Sequence, residues 1–327
     1  MAAPARLRRL KRFFGVAALS LGLVVAVLVL CRARATAGLS HHSLRFQERE
    51  RTFFVHLPPN HAKTRAVPLV IALHGGGGTA TLMNSSTKLS LSAQADARGW
   101  VLIVPQGVAK GWNDGRPIID RGSRARAGVD DVGFISALID HAHDQYGIDR
   151  DRVFVTGISN GGAMSFRLAV DLSDRLRAVA PVTMSLPAVL KSKTPKRPIS
   201  VLMVNGTDDP LVPFKGGQIR VLGKDRGEVL PTDDTLEWWA KQNGCMTSAP
   251  PRTLPDTDPK DKTRVVFEER RDCKNGTRVA LYRVEGGGHT WPGGRQYLPQ
   301  RVVGRVSQDI DASSVIFQFF AEQAALP

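Results

Sequence analysis

Short apolar runs that alternate with helical patterns constrain the fold of this sequence more than any other feature. Runs of this kind, stopped by glycine or proline, are typical of buried parallel strands, whereas apolar residues at helical spacing indicate helices packed over them. The strand candidates are residues 67–73, 100–104, 153–156, 199–204 and 279–284, and the helix candidates are 129–146, the segment after Ser159, 232–243 and 311–323. The alternation predicts an α/β fold with a mostly parallel sheet and helices on both faces.

Residues 38–327 are predicted to form one domain, because the sequence contains neither an internal repeat nor a linker that would divide it. The alternating run Arg51–Leu57, which precedes two prolines, is predicted to be an edge strand. Residues 247–261 are rich in proline, threonine and aspartate, and we interpret them as a surface excursion within that domain.

The N-terminal segment has the order of a secretory signal. Basic residues come first, the apolar run Phe13–Leu30 follows, and Ala35 and Ala37 then provide a small-residue cleavage site. The apolar run is also long enough to span a bilayer, so an uncleaved membrane anchor is the alternative. We therefore expect residues 1–37 to be a signal peptide or an anchor and the protein to be extracellular, with membrane contact only through this segment.

The charge balance and the cysteines restrict the partners and the compartment. The formal net charge is +15, and residues 1–37 supply seven basic and no acidic residues, which leaves about +8 for the rest. No stretch alternates basic and aromatic residues, so we expect no nucleic-acid partner. Outside residues 1–37 the cysteines are Cys245 and Cys273. In an exported protein this pair predicts a disulfide, which would stabilise the fold by about 3 kcal/mol.

The pattern Gly157-Ile158-Ser159-Asn160-Gly161 matches the G-x-S-x-G nucleophile elbow. In such an elbow the serine occupies a strained turn between a strand and a helix, and the flanking glycines allow the close backbone approach. A strand candidate precedes this segment and a helix candidate follows it. Ser159 is therefore the candidate nucleophile.

The run His74-Gly75-Gly76-Gly77-Gly78 directly follows a strand candidate. A glycine loop in this position can supply one backbone N–H to an oxyanion hole, and the residue after the nucleophile supplies another. The candidate donors are the amides of Gly76 or Gly77 and of Asn160, each worth roughly 3 kcal/mol in a transition state. No Gly-Lys-Ser/Thr follows the loop, which argues against a phosphate-binding loop.

The candidate base is His289, because it lies in the glycine-rich segment 286–294 after a late strand, where we expect an exposed and mobile loop. Two neighbouring acids, Asp208 and Asp209, follow the strand candidate that ends at Val204, and either could orient the imidazole. No Cys/His cluster has zinc spacing, so we expect no metal and no cofactor.

Several motifs in one order carry a family resemblance. They are HGGGG at 74–78, GWNDGR at 111–116, VDDVGF at 129–134, GISNGGAM at 157–164, NGTDDPLVPF at 205–214, the cysteine pair, and EGGGHTWPGG at 285–294. With these motifs the chain resembles the extracellular poly(3-hydroxybutyrate) depolymerase-like esterases and their feruloyl and acetylxylan esterase kin, over residues 51–320.

The resemblance implies an α/β-hydrolase fold and a Ser159–His289–Asp209 triad, which selects Asp209 over Asp208. It also implies that Trp112, Asn113 and Asp114 line the substrate site. Trp112 and Trp291 could stack on an aromatic acyl group or a sugar, or they could be packing residues. The implied substrates are hydroxyalkanoate oligomers or related acyl esters, since no segment resembles the polymer-binding domain of enzymes that degrade solid polymer.

Two alternatives remain open at this stage. The chain could instead be a feruloyl or acetylxylan esterase that acts on plant cell-wall esters. It could also be a non-catalytic surface protein on a hydrolase scaffold, because fold alone does not determine function.

Overall fold

A computed structural model describes residues 38–117, 125–221 and 223–326. The predicted signal peptide or anchor at residues 1–37 lies outside the described residues and stays a prediction. Within the described part of the chain, none of the helices combines the length and the apolar character needed to cross a bilayer.

A ten-stranded sheet forms the centre of the described chain. Its spatial order is β1-β2-β4-β3-β5-β6-β7-β12-β11-β10, and a separate hairpin pairs β8 with β9. The strands are β1 (Ser40–Phe46), β2 (Arg49–His56), β3 (Val67–Leu73), β4 (Val101–Pro105), β5 (Ile148–Ile158), β6 (Ala178–Val182), β7 (Ser200–Gly206), β8 (Gly217–Val221), β9 (Lys224–Val229), β10 (Thr247–Thr253), β11 (Arg264–Arg271) and β12 (Val279–Glu285).

The strands in the middle of the sheet, from β4 to β12, pair in parallel, and antiparallel strands flank them at both edges. The predicted fold class is therefore confirmed: the chain has the α/β-hydrolase architecture. The prediction that residues 51–57 form an edge strand is wrong, because β1 pairs along the outer side of β2 and is itself the edge.

Helices cover both faces of this sheet. They are α1 (Ala80–Ser86), α2 (Ser90–Arg98), α3 (Asp131–Tyr146), α4 (Asn160–Asp171), α5 (Thr232–Asn243), α6 (Gln300–Val303) and α7 (Ala312–Ala324), with short 3-10 turns at Val108–Lys110, Ala188–Leu190 and Lys274–Gly276. Successive side chains of a strand point to opposite faces. Accordingly, Leu69 and Ile71 of β3 pack in the core with α3, α4 and α5, whereas Val70 and Ala72 pack in the core with α2 and α7.

The segment predicted as a surface excursion is partly a strand. Thr247–Thr253 forms β10, the outermost strand, and its register shifts between Ala249 and Arg252 where two prolines intervene. Proline removes a ladder hydrogen bond but is tolerated at a sheet edge or a bulge. The composition of this segment therefore gave no indication of a strand, which forms only because β11 lies beside it.

The predicted disulfide is confirmed between Cys245 and Cys273. Cys245 follows the glycine that ends α5, and Cys273 lies just after β11. The bond therefore ties the end of a helix on one face to the antiparallel edge of the sheet.

The strand register brings distant parts of the sequence to one edge of the sheet. Gly157 of β5 pairs with Leu73 of β3, and Val182 of β6 pairs with Val204 of β7, which in turn lies beside β12. The segments after β3, β5, β7 and β12 therefore leave the sheet at the same edge, where ligands bind in open parallel sheets.

Candidate active site

Ser159 lies at the sharp turn between β5 and α4. Its backbone has φ 57° and ψ −120°, a strained conformation for a residue with a side chain. The Ser159 amide donates to the carbonyl of Val182 at 3.0 Å, which anchors the turn to the neighbouring strand. The side chain makes no capping hydrogen bond to the helix, so the hydroxyl stays available.

The glycines of this turn are required by close packing. A Cβ on Gly161 would overlap the Leu73 carbonyl oxygen, and one on Gly157 would lie 2.6 Å from the Gly161 backbone. Helix α4 therefore begins directly against the end of β3. A larger residue at either position would push the helix and its first amide away from the sheet.

His289 and Asp209 form a buried hydrogen-bonded pair. The distance from His289 Nδ1 to Asp209 Oδ2 is 2.7 Å, and their side chains are 4% and 2% exposed. When Nδ1–H donates to the carboxylate, the neutral ring presents Nε2 as an acceptor. In the described part of the chain, the ring's hydrogen bond to Asp209 is its only one, which leaves Nε2 for another partner.

Asp208 lies elsewhere, although it is the direct neighbour of Asp209. Its carboxylate is 59% exposed and faces Arg305 at 3.9 Å. In contrast, Asp209 Oδ1 accepts from the amides of Leu211 and Val212, both at 2.8 Å. Two backbone donors therefore fix the orientation of the Asp209 carboxylate, whose second oxygen faces the imidazole.

The segment that carries His289 is buried, whereas the sequence led us to expect an exposed, mobile loop. His289 is 3% exposed, its amide donates to the Val303 carbonyl at 2.6 Å, and its carbonyl accepts from the Tyr297 hydroxyl at 2.9 Å. A Cβ on Gly288 would overlap the Val303 carbonyl oxygen. The glycines here serve close packing and a rigid imidazole rather than mobility.

One cavity of about 1050 Å³ joins these groups, since both Ser159 and His289 line its wall. Apolar side chains form much of the remaining wall, among them Leu82 of α1, Met184 after β6 and Ile219 of β8. A bound molecule would therefore contact the serine and the histidine together.

The glycine loop after β3 lies directly against the Ser159 turn. A Cβ on Gly75 would lie 3.4 Å from Ser159 Cβ, and one on Gly76 would lie 3.6 Å from Asn160 Cβ. The Gly77 amide donates to the Lys110 carbonyl at 2.7 Å, so it is not available to an oxyanion. Of the two predicted glycines, Gly76 is the one whose amide has no acceptor in the described part of the chain.

The side chain of Asn160 holds the start of α4 against the loop that contains Trp112. Its Oδ1 accepts from the Trp112 amide at 2.7 Å, and its Nδ2 donates to Asp114 Oδ2 at 2.6 Å. The Asn160 backbone amide begins the helix and has no intrahelical acceptor. These contacts fix the direction of the amide predicted as the second oxyanion donor.

Asp114 is a buried anion beside Arg116. Burial by itself would raise the pKa of Asp114, but the charge and hydrogen bonds of Arg116 lower that pKa below its ordinary value. Arg116 Nη2 lies 2.6 Å from Asp114 Oδ2. This ion pair keeps Asp114, which accepts a hydrogen bond from the Asn160 side chain, negatively charged.

The predicted substrate-binding residues differ in position. Trp112 and Asn113 line the cavity, but Trp112 is 1% exposed and its ring nitrogen donates to the His74 carbonyl at 2.9 Å. The Asn113 side-chain nitrogen donates to the Val129 carbonyl. This residue therefore shapes the cavity wall, and its side-chain nitrogen is already bonded to the protein. Of the two roles left open for Trp291, substrate binding and packing, the structure supports packing: it is buried in the core beside α7, and its ring nitrogen donates to Ser313.

His74 braces the glycine loop with a neutral ring. It is 1% exposed, its Nδ1 donates to the Gly75 carbonyl at 2.8 Å, and its Nε2 accepts from the amide of Gly107 and the side chain of Gln106, both at 3.0 Å. Burial lowers the pKa of His74 to about 4, and the hydrogen bond to Gly75 opposes that shift only in part.

The low pKa of His74 predicts loss of stability in mild acid. The unfolded chain binds a proton near pH 6.5, but the folded chain does not until about pH 4. This contribution is therefore complete above pH 6.5 and falls by about 3 kcal/mol as the pH drops from 6.5 to 4. Urea unfolding at pH 7 and pH 4.5 measures it. His74→Gln should flatten the pH dependence of the unfolding free energy. As a control, replacement of the exposed His41 by glutamine should leave that dependence as in the wild type. The same pH dependence in all three proteins would contradict the role given to His74.

Sequence reasoning missed part of the cavity wall. Tyr297 follows His289 in an irregular segment, and burial raises the pKa of its hydroxyl above the ordinary value, an effect that the Asp209 charge reinforces. Arg126 and the β8–β9 hairpin also reach the wall. None of these positions carries a motif, because only chain packing brings them to the sheet edge.

Across residues 38–117, 125–221 and 223–326, no group of three or more His, Cys, Asp or Glu side chains is arranged to hold a metal ion.

Comparison with known proteins places this chain in a family. Residues 60–221 match the family described as phospholipase/carboxylesterase. The chain is 32% identical over 281 residues to the protein named "Putative esterase NocK" of Nocardia uniformis subsp. tsuyamanensis. The aligned region covers 83% of this chain and 79% of that protein. The chain belongs to the phospholipase/carboxylesterase family. It is therefore a carboxylic-ester hydrolase, which sets aside the non-catalytic alternative.

Further relatives share this chemistry by name. The chain is 28% identical over 247 residues to feruloyl esterase B of Piromyces equi, with 73% of this chain but only 42% of that longer protein covered. The solved structure of an acetyl xylan esterase from Aspergillus awamori superposes with a TM-score of 0.51 at 15% identity, over 86% of this chain and 99% of that one. Because the identity is only 15%, this superposition supports the α/β-hydrolase fold of the carboxylesterase and nothing finer.

Proposed function

We propose that this carboxylesterase is an exported serine esterase in which Ser159 is the nucleophile, His289 the general base and Asp209 the acid that orients it. The observation that carries the proposal is the buried 2.7 Å contact between His289 and Asp209, together with the fact that His289 and Ser159 line the same cavity.

The reaction proceeds through an acyl-enzyme. Ser159 Oγ bonds to the acyl carbon while His289 Nε2 takes the hydroxyl proton, and the imidazolium then protonates the leaving alcohol oxygen as the ester bond breaks. A water molecule then gives a proton to the same nitrogen and attacks the acyl carbon; the bond from this carbon to Ser159 Oγ breaks, the imidazolium returns the proton to Oγ, and the carboxylic acid leaves. Throughout, Asp209 accepts the Nδ1–H hydrogen bond and stabilises the imidazolium.

The amides of Gly76 and Asn160 are proposed to stabilise the oxyanion. Both belong to backbone segments that contact the Ser159 turn, and neither amide has an acceptor within the described protein. Preorganised donors of this kind act only on the charge that develops in the transition state, so they accelerate the chemical step.

For the substrate we propose soluble hydroxyalkanoate oligomers or related esters, on the motif resemblance to poly(3-hydroxybutyrate) depolymerase-like esterases. The alternative is a feruloyl or acetylxylan esterase, which the similarity to feruloyl esterase B of Piromyces equi favours. A cavity of about 1050 Å³ has room for either an oligomer or an aromatic acyl group. The signal-like residues 1–37 and the Cys245–Cys273 disulfide support export.

A fluorophosphonate probe and a substrate panel test this proposal together. We expect the probe to label the wild-type protein on the tryptic peptide that contains Ser159, because an activated serine attacks phosphorus as it attacks an ester. Mass spectrometry identifies the peptide, and heat-denatured protein is the control. Turnover of hydroxybutyrate oligomers, methyl ferulate and acetylated xylan then ranks the substrates. Labelling elsewhere, or none in a folded protein, would contradict the proposed nucleophile.

A further inference from the structure

The cavity beside Ser159 has a basic wall. Among the residues that the structure describes, the charged side chains of its lining are Arg116, Arg126, Arg226 and Asp114, three arginines and one carboxylate. A concave lining with one sign of charge raises the local concentration of the opposite charge. The wall therefore suits a ligand that is itself an anion.

Arg116 is already neutralised by the protein. Its Nε and Nη2 donate to Asp114, whose oxygens also accept from Asn160, and its Nη1 donates to the Arg226 carbonyl at 3.0 Å. The side chains of Arg116 and Asp114 are 11% and 5% exposed. The Asp114 carboxylate is thus used by one arginine and one asparagine.

Arg126 has no such partner. In the part of the chain that the structure describes, no carboxylate lies within salt-bridge distance of it: Asp114 pairs with Arg116, and Asp131 pairs with Arg51. Burial lowers the pKa of the Arg126 guanidinium and the nearby Arg116 charge lowers it further, although Asp114 and Asp131 act in the opposite direction. A half-buried cation beside another cation is stabilised when an anion joins it.

The guanidinium of Arg126 also lies close to the reacting end of the cavity. A Cβ on Gly111 would sit 3.0 Å from Arg126 Nη1 and 3.0 Å from Asn160 Oδ1. Arg126 therefore shares a neighbour with the residue that follows Ser159. A group bound by Arg126 would be part of the same ligand that reaches the serine.

We propose that Arg126 binds a free carboxylate on the ester substrate, so that the site selects esters that carry an acid group, such as oligomers of hydroxy acids, over neutral esters. This inference rests on the proposed function and specifies the substrate class of the same site. The planar guanidinium offers two parallel N–H donors to a carboxylate, a geometry that an ammonium group cannot reproduce.

The test uses one substrate with and without its charge: the linear dimer of 3-hydroxybutyrate and the same dimer blocked as its N-methyl amide. Chromatography measures cleavage of the internal ester bond. We expect Arg126→Gln to lower kcat/KM for the acid dimer by about tenfold to a hundredfold, mainly through KM, and to change that for the amide less than twofold. Arg126→Lys should retain part of the preference, and added salt should weaken it in the wild type.

Arg45→Gln is the matched control, since this arginine lies on β1 with its side chain 78% exposed, and the variant should behave as the wild type. If Arg126→Gln affected both dimers equally, or affected neither, Arg126 would not bind the substrate carboxylate. In that case, turnover of the amide dimer would still support the esterase function. If the wild-type protein cleaved neither dimer nor p-nitrophenyl butyrate, the proposed function itself would fail, and this inference with it.

Discussion

Replacement of Ser159 by alanine is expected to lower kcat for p-nitrophenyl butyrate by on the order of 10⁴- to 10⁶-fold. Without the hydroxyl no acyl-enzyme forms, and only the oxyanion donors and the binding wall remain to assist attack by water. The fold should persist, because the Ser159 side chain makes no capping bond and the turn is held by its amide bond to Val182. Single-turnover and steady-state kinetics measure the loss.

Ser165→Ala is the matched control for this experiment. Ser165 lies on the same helix and is fully buried, and its hydroxyl donates only to the Gly161 carbonyl at 2.9 Å. We expect this variant to keep kcat within about threefold of the wild type, since a buried neutral hydrogen bond contributes about 1 kcal/mol at most here. A folded Ser159→Ala protein with undiminished turnover would rule out Ser159 as the nucleophile.

Replacement of Asp209 by asparagine is expected to lower kcat by roughly 10⁴-fold near neutral pH. The amide fills the same space, but its NH₂ can donate to Nδ1 and so favours the tautomer that carries its proton on Nε2, the wrong nitrogen for a general base. The buried site gives the imidazolium no other described carboxylate to replace the 2.7 Å contact. A pH–rate profile of kcat/KM should show recovery at high pH as hydroxide takes over the role of the base.

The neighbouring acid provides a sharp control. Asp208→Asn changes the same functional group one residue away, but Asp208 is 59% exposed and faces Arg305 rather than the imidazole. We expect its kcat to stay within about twofold of the wild type, since exposed ion pairs contribute little. If Asp208→Asn were the more damaging of the two variants, the assignment of the triad acid would be reversed.

Much of the fold was predictable because most of its central strands contain an uninterrupted apolar run. Val67–Leu73 is buried at every position, as expected of a strand whose two faces are both covered. The bounds predicted for this strand match those in the structure. In contrast, β10 and β1 are exposed at most positions and carry no such pattern. They are strands because a neighbour offers a hydrogen-bond ladder, which the local sequence does not reveal.

Local sequence patterns were enough to predict the α/β alternation, the turn at Ser159 with its glycines, the glycine loop after β3 and the cysteine pair, because each depends on local conformation or on composition. The packing of the folded chain was needed to show which aspartate faces His289, that the Gly77 amide donates to Lys110, that Trp291 belongs to the core, and that Arg126 reaches the cavity. These outcomes depend on contacts between residues far apart in the chain. Such contacts exist only once the strand register and the loop packing are set, so no local pattern encodes them.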